Sequence, residues 1–169
     1  MCQSIKRAQW QDKLKDRLFK VPYVHTVFTI PHELNRMAKR YPKELYNLVL
    51  RSSWQTVKEL ASLDENIGAL PGMVSILHTF GSDLKFHLHS HCLVTFGGFR
   101  EGKWIWPKRK KKIAPYLAMC SNYKRIFINR LDLLVKSKVI IWPNYEELRK
   151  DILDNDGMLE VHFQQWIPD

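Results

Sequence analysis

The chain has little that would hold it to a membrane or cross-link it. No run of about 18 apolar residues occurs among its 169 positions, which leaves no candidate transmembrane helix. The first twenty residues are basic throughout and lack the apolar centre of a secretory signal. A soluble, cytoplasmic protein without a membrane partner is therefore expected. Cysteine is scarce: Cys2, Cys92 and Cys120 are odd in number and far apart, which argues against a disulfide framework and against a closed four-cysteine zinc site. There is no Gly-rich phosphate loop, no Ser-His-Asp spacing signature and no paired CxxC, so a P-loop enzyme, a common hydrolase and a zinc finger all lose their motifs. Negative charge is also in short supply. Against 27 Lys and Arg stand only 17 Asp and Glu, a formal net charge of +10. An excess of that size attracts polyanions, meaning nucleic acid or an anionic membrane surface; an ordinary basic protein is compatible with it too.

What is present reads as one domain of alternating elements. Ile5, Ala8, Leu14, Leu18 and Phe19 recur with helical spacing among lysines and arginines, predicting a basic helix over residues 3–20. Tyr23 to Ile30 is rich in β-branched and aromatic residues and reads as a strand, ended by Pro31, which suits a first helical turn. Helices are expected from Pro31 to about Arg40 and from Lys43 to Ser62, broken at Tyr41-Pro42. Asp64 to Gly72 is turn-rich, and Met73 to Phe80 has strand composition. His87 to Phe96, a turn at Gly97-Gly98 and the short run Lys103 to Trp106 suggest a hairpin. A helix is expected from Pro115 to Lys136, and a short strand at Val139 to Trp142. Asn144 with Glu147 suggests a capping box opening a helix to Leu153, and Leu159 to Gln165 a last strand. Strands separated by helices imply an α+β domain with a largely antiparallel central sheet covered by helices.

Two clusters carry chemistry. His87, His89 and His91 alternate along one strand, so their imidazoles share one face. Held by a rigid backbone, they suit a divalent cation if another segment supplies a further ligand; an exposed polar strand face is the plainer alternative. Imidazole favours Mn2+ or a similar ion over Mg2+. In the second cluster Trp104 and Trp106 lead into Lys108, Arg109, Lys110, Lys111 and Lys112, a basic run that begins about 17 residues after the histidine row. Cations neutralise phosphates and indoles stack on unpaired bases, a combination suited to single-stranded DNA, although charge runs are usually solvated faces.

The succession VPYVHTVFTIPHEL (21–34), LHTFGSDLKFHLHSHCLVTFGG (77–98) and WIWPKRKKK (104–112) resembles the core of two-tyrosine transposases of the HUH endonuclease superfamily, which move insertion sequences by a rolling-circle-like route. The resemblance spans nearly the whole chain. It implies an HUH endonuclease-like core in which His89 and His91 bind a divalent metal, Mn2+ or Mg2+, with His87 as a neighbouring histidine. It also implies that single-stranded DNA at insertion-sequence ends is cut by a tyrosine hydroxyl, leaving a 5′-phosphotyrosine link. Ser90 departs from the family pattern, which usually carries a bulky apolar residue between the two histidines; serine keeps the ligands but weakens the packing beneath them. None of the six tyrosines has a tyrosine partner at i+4, whereas the family's pair lies about one helical turn apart. Residues 1–20 are accordingly expected to be a basic helix trailing a zinc-binding module, with Cys2 its last cysteine. Residues 21–169 are expected to be the transposase core, truncated before its catalytic tyrosines and so inactive alone. Two rivals stand beside this expectation: a DNA-binding module that has lost catalysis, and a metal-dependent hydrolase built on the histidine row.

Overall fold

The computed structural model describes residues 3–81, 85–109, 112–154 and 161–166. Helix α1 (Gln3–Lys15) leads to β1 (Tyr23–Thr29), a 3-10 turn at His32–Leu34, α2 (Asn35–Arg40) and α3 (Pro42–Ser62). Strands β2 (Met73–Phe80) and β3 (Phe86–Thr95) follow, then the short β4 (Gly98–Arg100) and β5 (Lys103–Ile105). The chain continues through α4 (Tyr116–Lys136), α5 (Tyr145–Asp154) and β6 (Val161–Trp166). The four long strands form one sheet in the order β2-β3-β1-β6, every neighbouring pair antiparallel. The expected α+β architecture is therefore present.

Strand parity divides the sheet into two unlike faces. Val24, Thr26 and Phe28 of β1 and Leu88, Ser90, Cys92 and Val94 of β3 are fully buried. Helices α3 and α4 cover this side: Phe28 meets Tyr123 of α4 edge-on at 4.9 Å between ring centroids, and the Ser53 hydroxyl of α3 lies 3.2 Å from that of Ser90. Leu45, Val49, Met119, Phe127 and Leu131 complete the core. Helix α5 is tied to α4 through Asp132, which accepts from Tyr145 Oη at 2.6 Å and pairs with Arg149 at 2.9 Å. The opposite parity, His25 and Val27 of β1, Ile76 and His78 of β2, and His87, His89 and His91 of β3, faces away from these helices.

Three local expectations are corrected. Gly97-Gly98 is not the turn of a hairpin between β3 and residues 103–106; β4 pairs with β5 instead, across Glu101 and Gly102 at φ 53° and 75°. Positive φ at both central residues makes a turn whose twist matches the strands. No strand forms at Val139 to Trp142. Lys138 takes φ 59° and the Ile140 amide donates to the Leu134 carbonyl at 3.0 Å, so this segment terminates α4 and sends Ile140 into the core. Asn144 precedes α5 at φ 54°, outside the extended backbone usual for a helix cap.

Candidate metal centre and nucleic-acid interface

Register assembles the histidines from separate segments. His78 of β2 stands opposite His89 of β3, and Val27 of β1 opposite His91. One ring nitrogen from each of His78, His89 and His91 falls within 4.8 Å of the others, a set able to hold a metal ion. The Nε2 atoms of His89 and His91 are 3.2 Å apart. Two nitrogens bound at ~2.1 Å to one first-row cation are separated by about 3.0–3.4 Å, so the spacing fits a shared ion. No Asp or Glu joins this group among the described residues, and an all-imidazole set favours transition metals over Mg2+.

Hydrogen bonds orient the rings. His89 Nδ1 lies 2.8 Å from the His87 carbonyl oxygen, which can only accept, so His89 carries a proton on Nδ1 and a bare Nε2 when neutral. His91 Nδ1 lies 2.9 Å from His25 Nε2. Burial, and then the neighbouring His78, His89 and His25, push the His91 imidazole down to about 4, keeping it neutral near pH 7, the state in which imidazole ligates.

The sequence singled out His87, His89 and His91, and the structure places all three on one face with ring centroids 5.1 and 5.0 Å apart. His87 stands outside the converging trio; its carbonyl orients His89. The third member, His78, and the buttressing His25 were missed. Each sits in a strand that composition already revealed, His25 between the buried Val24 and Thr26 and His78 between the partly buried Leu77 and Thr79, but only the register brings it to His89 or His91. Ser90 points the other way. Fully buried, it reaches Ser53 and, at 3.6 Å, the Cys92 sulfur, so a small polar network replaces the apolar packing expected beneath the site.

The aromatic and basic segment lies at the Thr95 end of β3. Trp104 lies over Gly97, where a Cβ would come within 2.7 Å of the indole. It is flanked by Phe19, Phe99 and Trp106 at centroid distances of 6.2, 5.0 and 6.0 Å. Trp104 is thus a half-buried support, and the rings presented to solvent are Phe19, Phe99 and Trp106, at 51, 46 and 56 % exposure. Tyr23, which shares the parity of His25, donates to the Phe19 carbonyl at 3.2 Å, drawing the patch to one end of the histidine face. Lys108, Arg109 and Lys112 are exposed, with Arg109 Nε 3.3 Å from Asn66 Oδ1. Lys110 and Lys111 lie outside the described residues.

The tyrosines stand elsewhere. Tyr123 is fully buried on the helix side, and its hydroxyl is pushed upward by burial. Tyr116, at the start of α4, is 42 % exposed. Tyr41 donates to the Ile141 carbonyl at 3.0 Å.

The sequence pattern of the family described as "Putative transposase" matches residues 72–168, more than half of the chain and the whole span of β2, β3 and the histidine row. The chain belongs to this transposase family. Over 132 residues, 78 % of the chain, it is 32 % identical to the protein named "Putative transposase y4qJ" of Sinorhizobium fredii. Over 99 residues, 57 % of the chain, it is 33 % identical to the "Transposase for insertion sequence element IS801" of Pseudomonas savastanoi pv. phaseolicola. These stretches cover 33 % and 23 % of those two transposases. Among the described residues, no helix is long and apolar enough to cross a membrane.

Proposed function

We propose that this chain is the metal-binding, single-strand-binding core of a two-tyrosine, HUH-type transposase, acting on the ends of an insertion sequence. The observation that carries the reading is the convergence of His78, His89 and His91 on the open face of a sheet whose other face is sealed by helices. In this proposal His89 and His91 are the principal ligands, His78 completes the set, and His87 contributes through its carbonyl. A divalent ion, Mn2+ before Mg2+, would supply Lewis-acid stabilisation of charge on a scissile phosphate.

The chain's own residues would bind and align the strand. Thr95 lies four residues beyond His91, about 13 Å at ~3.3 Å per strand residue, so one short stretch of DNA can span both the histidines and the patch. Phe19, Phe99 and Trp106 offer faces for unpaired bases, and Trp104 holds that surface in place. Lys108, Arg109 and Lys112, with Lys110 and Lys111, would neutralise phosphates. In this reading Tyr123, sealed in the core, is not the nucleophile, no tyrosine of the chain has a tyrosine partner at i+4, and the chain alone is expected to form no covalent link to DNA. Residues 21–169 are assigned to the core, which the basic helix α1 precedes.

Fluorescence anisotropy with a labelled single strand and its duplex tests this. The wild-type chain is expected to prefer the single strand and to bind it several-fold more tightly in Mn2+ than in chelator. The Mn2+ effect should vanish in the His89→Ala/His91→Ala variant. Affinity should fall with log salt by ~0.7 per phosphate neutralised, and replacing Lys108, Arg109 and Lys112 with Gln should flatten that slope. Equal affinity with Mn2+ and with chelator in the wild type would contradict the metal-assisted reading.

A further inference from the structure

We infer that His25, on the neighbouring strand, is a positioning residue for the metal centre: it sets which nitrogen of His91 is free to ligate. The inference rests on the metal-site reading above and goes beyond it, because His25 is not among the converging ligands. The His25 and His91 rings lie nearly in one plane, 10° apart, with centroids separated by 5.1 Å and His25 Nε2 only 2.9 Å from His91 Nδ1. A nitrogen–nitrogen distance that short at so wide a centroid separation puts the two rings edge to edge, with the hydrogen bond along the lone-pair direction.

A continuous chain of hydrogen bonds results. The His87 carbonyl accepts from His89 Nδ1, the Nε2 atoms of His89 and His91 face each other, and His91 Nδ1 meets His25 Nε2. Without a cation, every link is satisfied if His25 donates from Nε2 to His91 Nδ1 and His91 donates from Nε2 to His89 Nε2. With a cation, both ligand Nε2 atoms must be bare. His91 then carries its proton on Nδ1 and donates it to His25 Nε2, while His25 carries its own on Nδ1. Each imidazole keeps one proton throughout, so the change is one of tautomer, exchanged through solvent at the half-buried His25. A side chain able both to donate and to accept is required at position 25. The His89 tautomer needs no such partner, because a carbonyl already fixes it. Such outer partners of ligating histidines typically govern 10–100-fold in metal affinity.

The test is Mn2+ calorimetry on the full 169-residue chain, comparing wild type with His25→Phe, His25→Gln and His89→Ala/His91→Ala. Phenylalanine keeps a ring of similar bulk but neither donates nor accepts, whereas the Gln carboxamide can do both. We expect His25→Phe to weaken Mn2+ binding by about 10–100-fold and His25→Gln to restore most of the loss. The metal-free melting temperatures of wild type and both His25 variants should agree closely, since a general packing defect would lower them together with affinity. Wild-type affinity in His25→Phe, with binding abolished in His89→Ala/His91→Ala, would overturn the role of His25 while leaving the metal site standing. Equal weakening by Phe and Gln would also overturn it, assigning the effect to ring packing. No Mn2+ binding by the wild type, or equal binding by wild type and the double variant, would overturn both.

Discussion

The histidines are individually ordinary and take their chemistry from placement. His91 shows this best: half-buried and ringed by other imidazoles, it is held down to about 4, against an ordinary 6.5. Between those values an unfolded chain carries a proton on His91 that the folded chain does not. Where the unfolded state binds more protons, stability rises with pH. The contribution is therefore a loss of stability as pH falls from about 6.5 towards 4, with no effect above that window. In chelator, the drop in urea-unfolding free energy between pH 7 and pH 4.5 should be smaller in His91→Gln than in the wild type. An equal drop in both proteins would mean that His91 titrates normally when folded. Sequence alone identified the row of three because alternation is visible in one segment. It did not identify His25 or His78, since each is a lone histidine in its own strand and acquires meaning only through cross-strand pairing.

At the scale of elements, long segments with one dominant pattern were legible and short connections were not. The periodic apolar faces of α3 and α4 and the β-branched run of β1 lie nearly where composition puts them. The region after β3 was misread because two adjacent glycines resemble a hairpin turn. Gly97 serves a different purpose. At φ 140° it lets the Trp104 indole lie directly on the backbone, with no room for a Cβ. Gly97→Ala should therefore cost about 1–3 kcal/mol, as expected for overpacking at a site that cannot yield. Urea unfolding followed by tryptophan fluorescence would measure it, and an unchanged midpoint would show that Trp104 is not seated there. The run at Val139 to Trp142 was misread for a related reason. Its apolar residues look like a strand, but the left-handed Lys138 and the bond from Ile140 back to Leu134 make it the end of a helix.

For the whole molecule, the sheet acts as a partition. One face, carrying Val24, Phe28, Leu88, Cys92 and Val94, is buried beneath α3 and α4 and supplies the stability of the domain. The other carries, among the described residues, five interacting imidazoles, those of His25, His78, His87, His89 and His91, and, at one end, an aromatic patch beside exposed cations. The net charge of +10 announced a polyanionic partner from composition alone, but not the face it would use, because charge has no periodicity that separates one side of a sheet from the other. Ligation of one divalent ion by His89 and His91 on this open face is the central claim. Electron spin-echo spectroscopy of Mn2+ bound to the chain tests it most directly, since a coordinated imidazole couples its 14N nucleus to the electron spin. The wild type should show 14N modulation that disappears in His89→Ala/His91→Ala. Bound Mn2+ with water couplings and no 14N modulation in the wild type would contradict the claim.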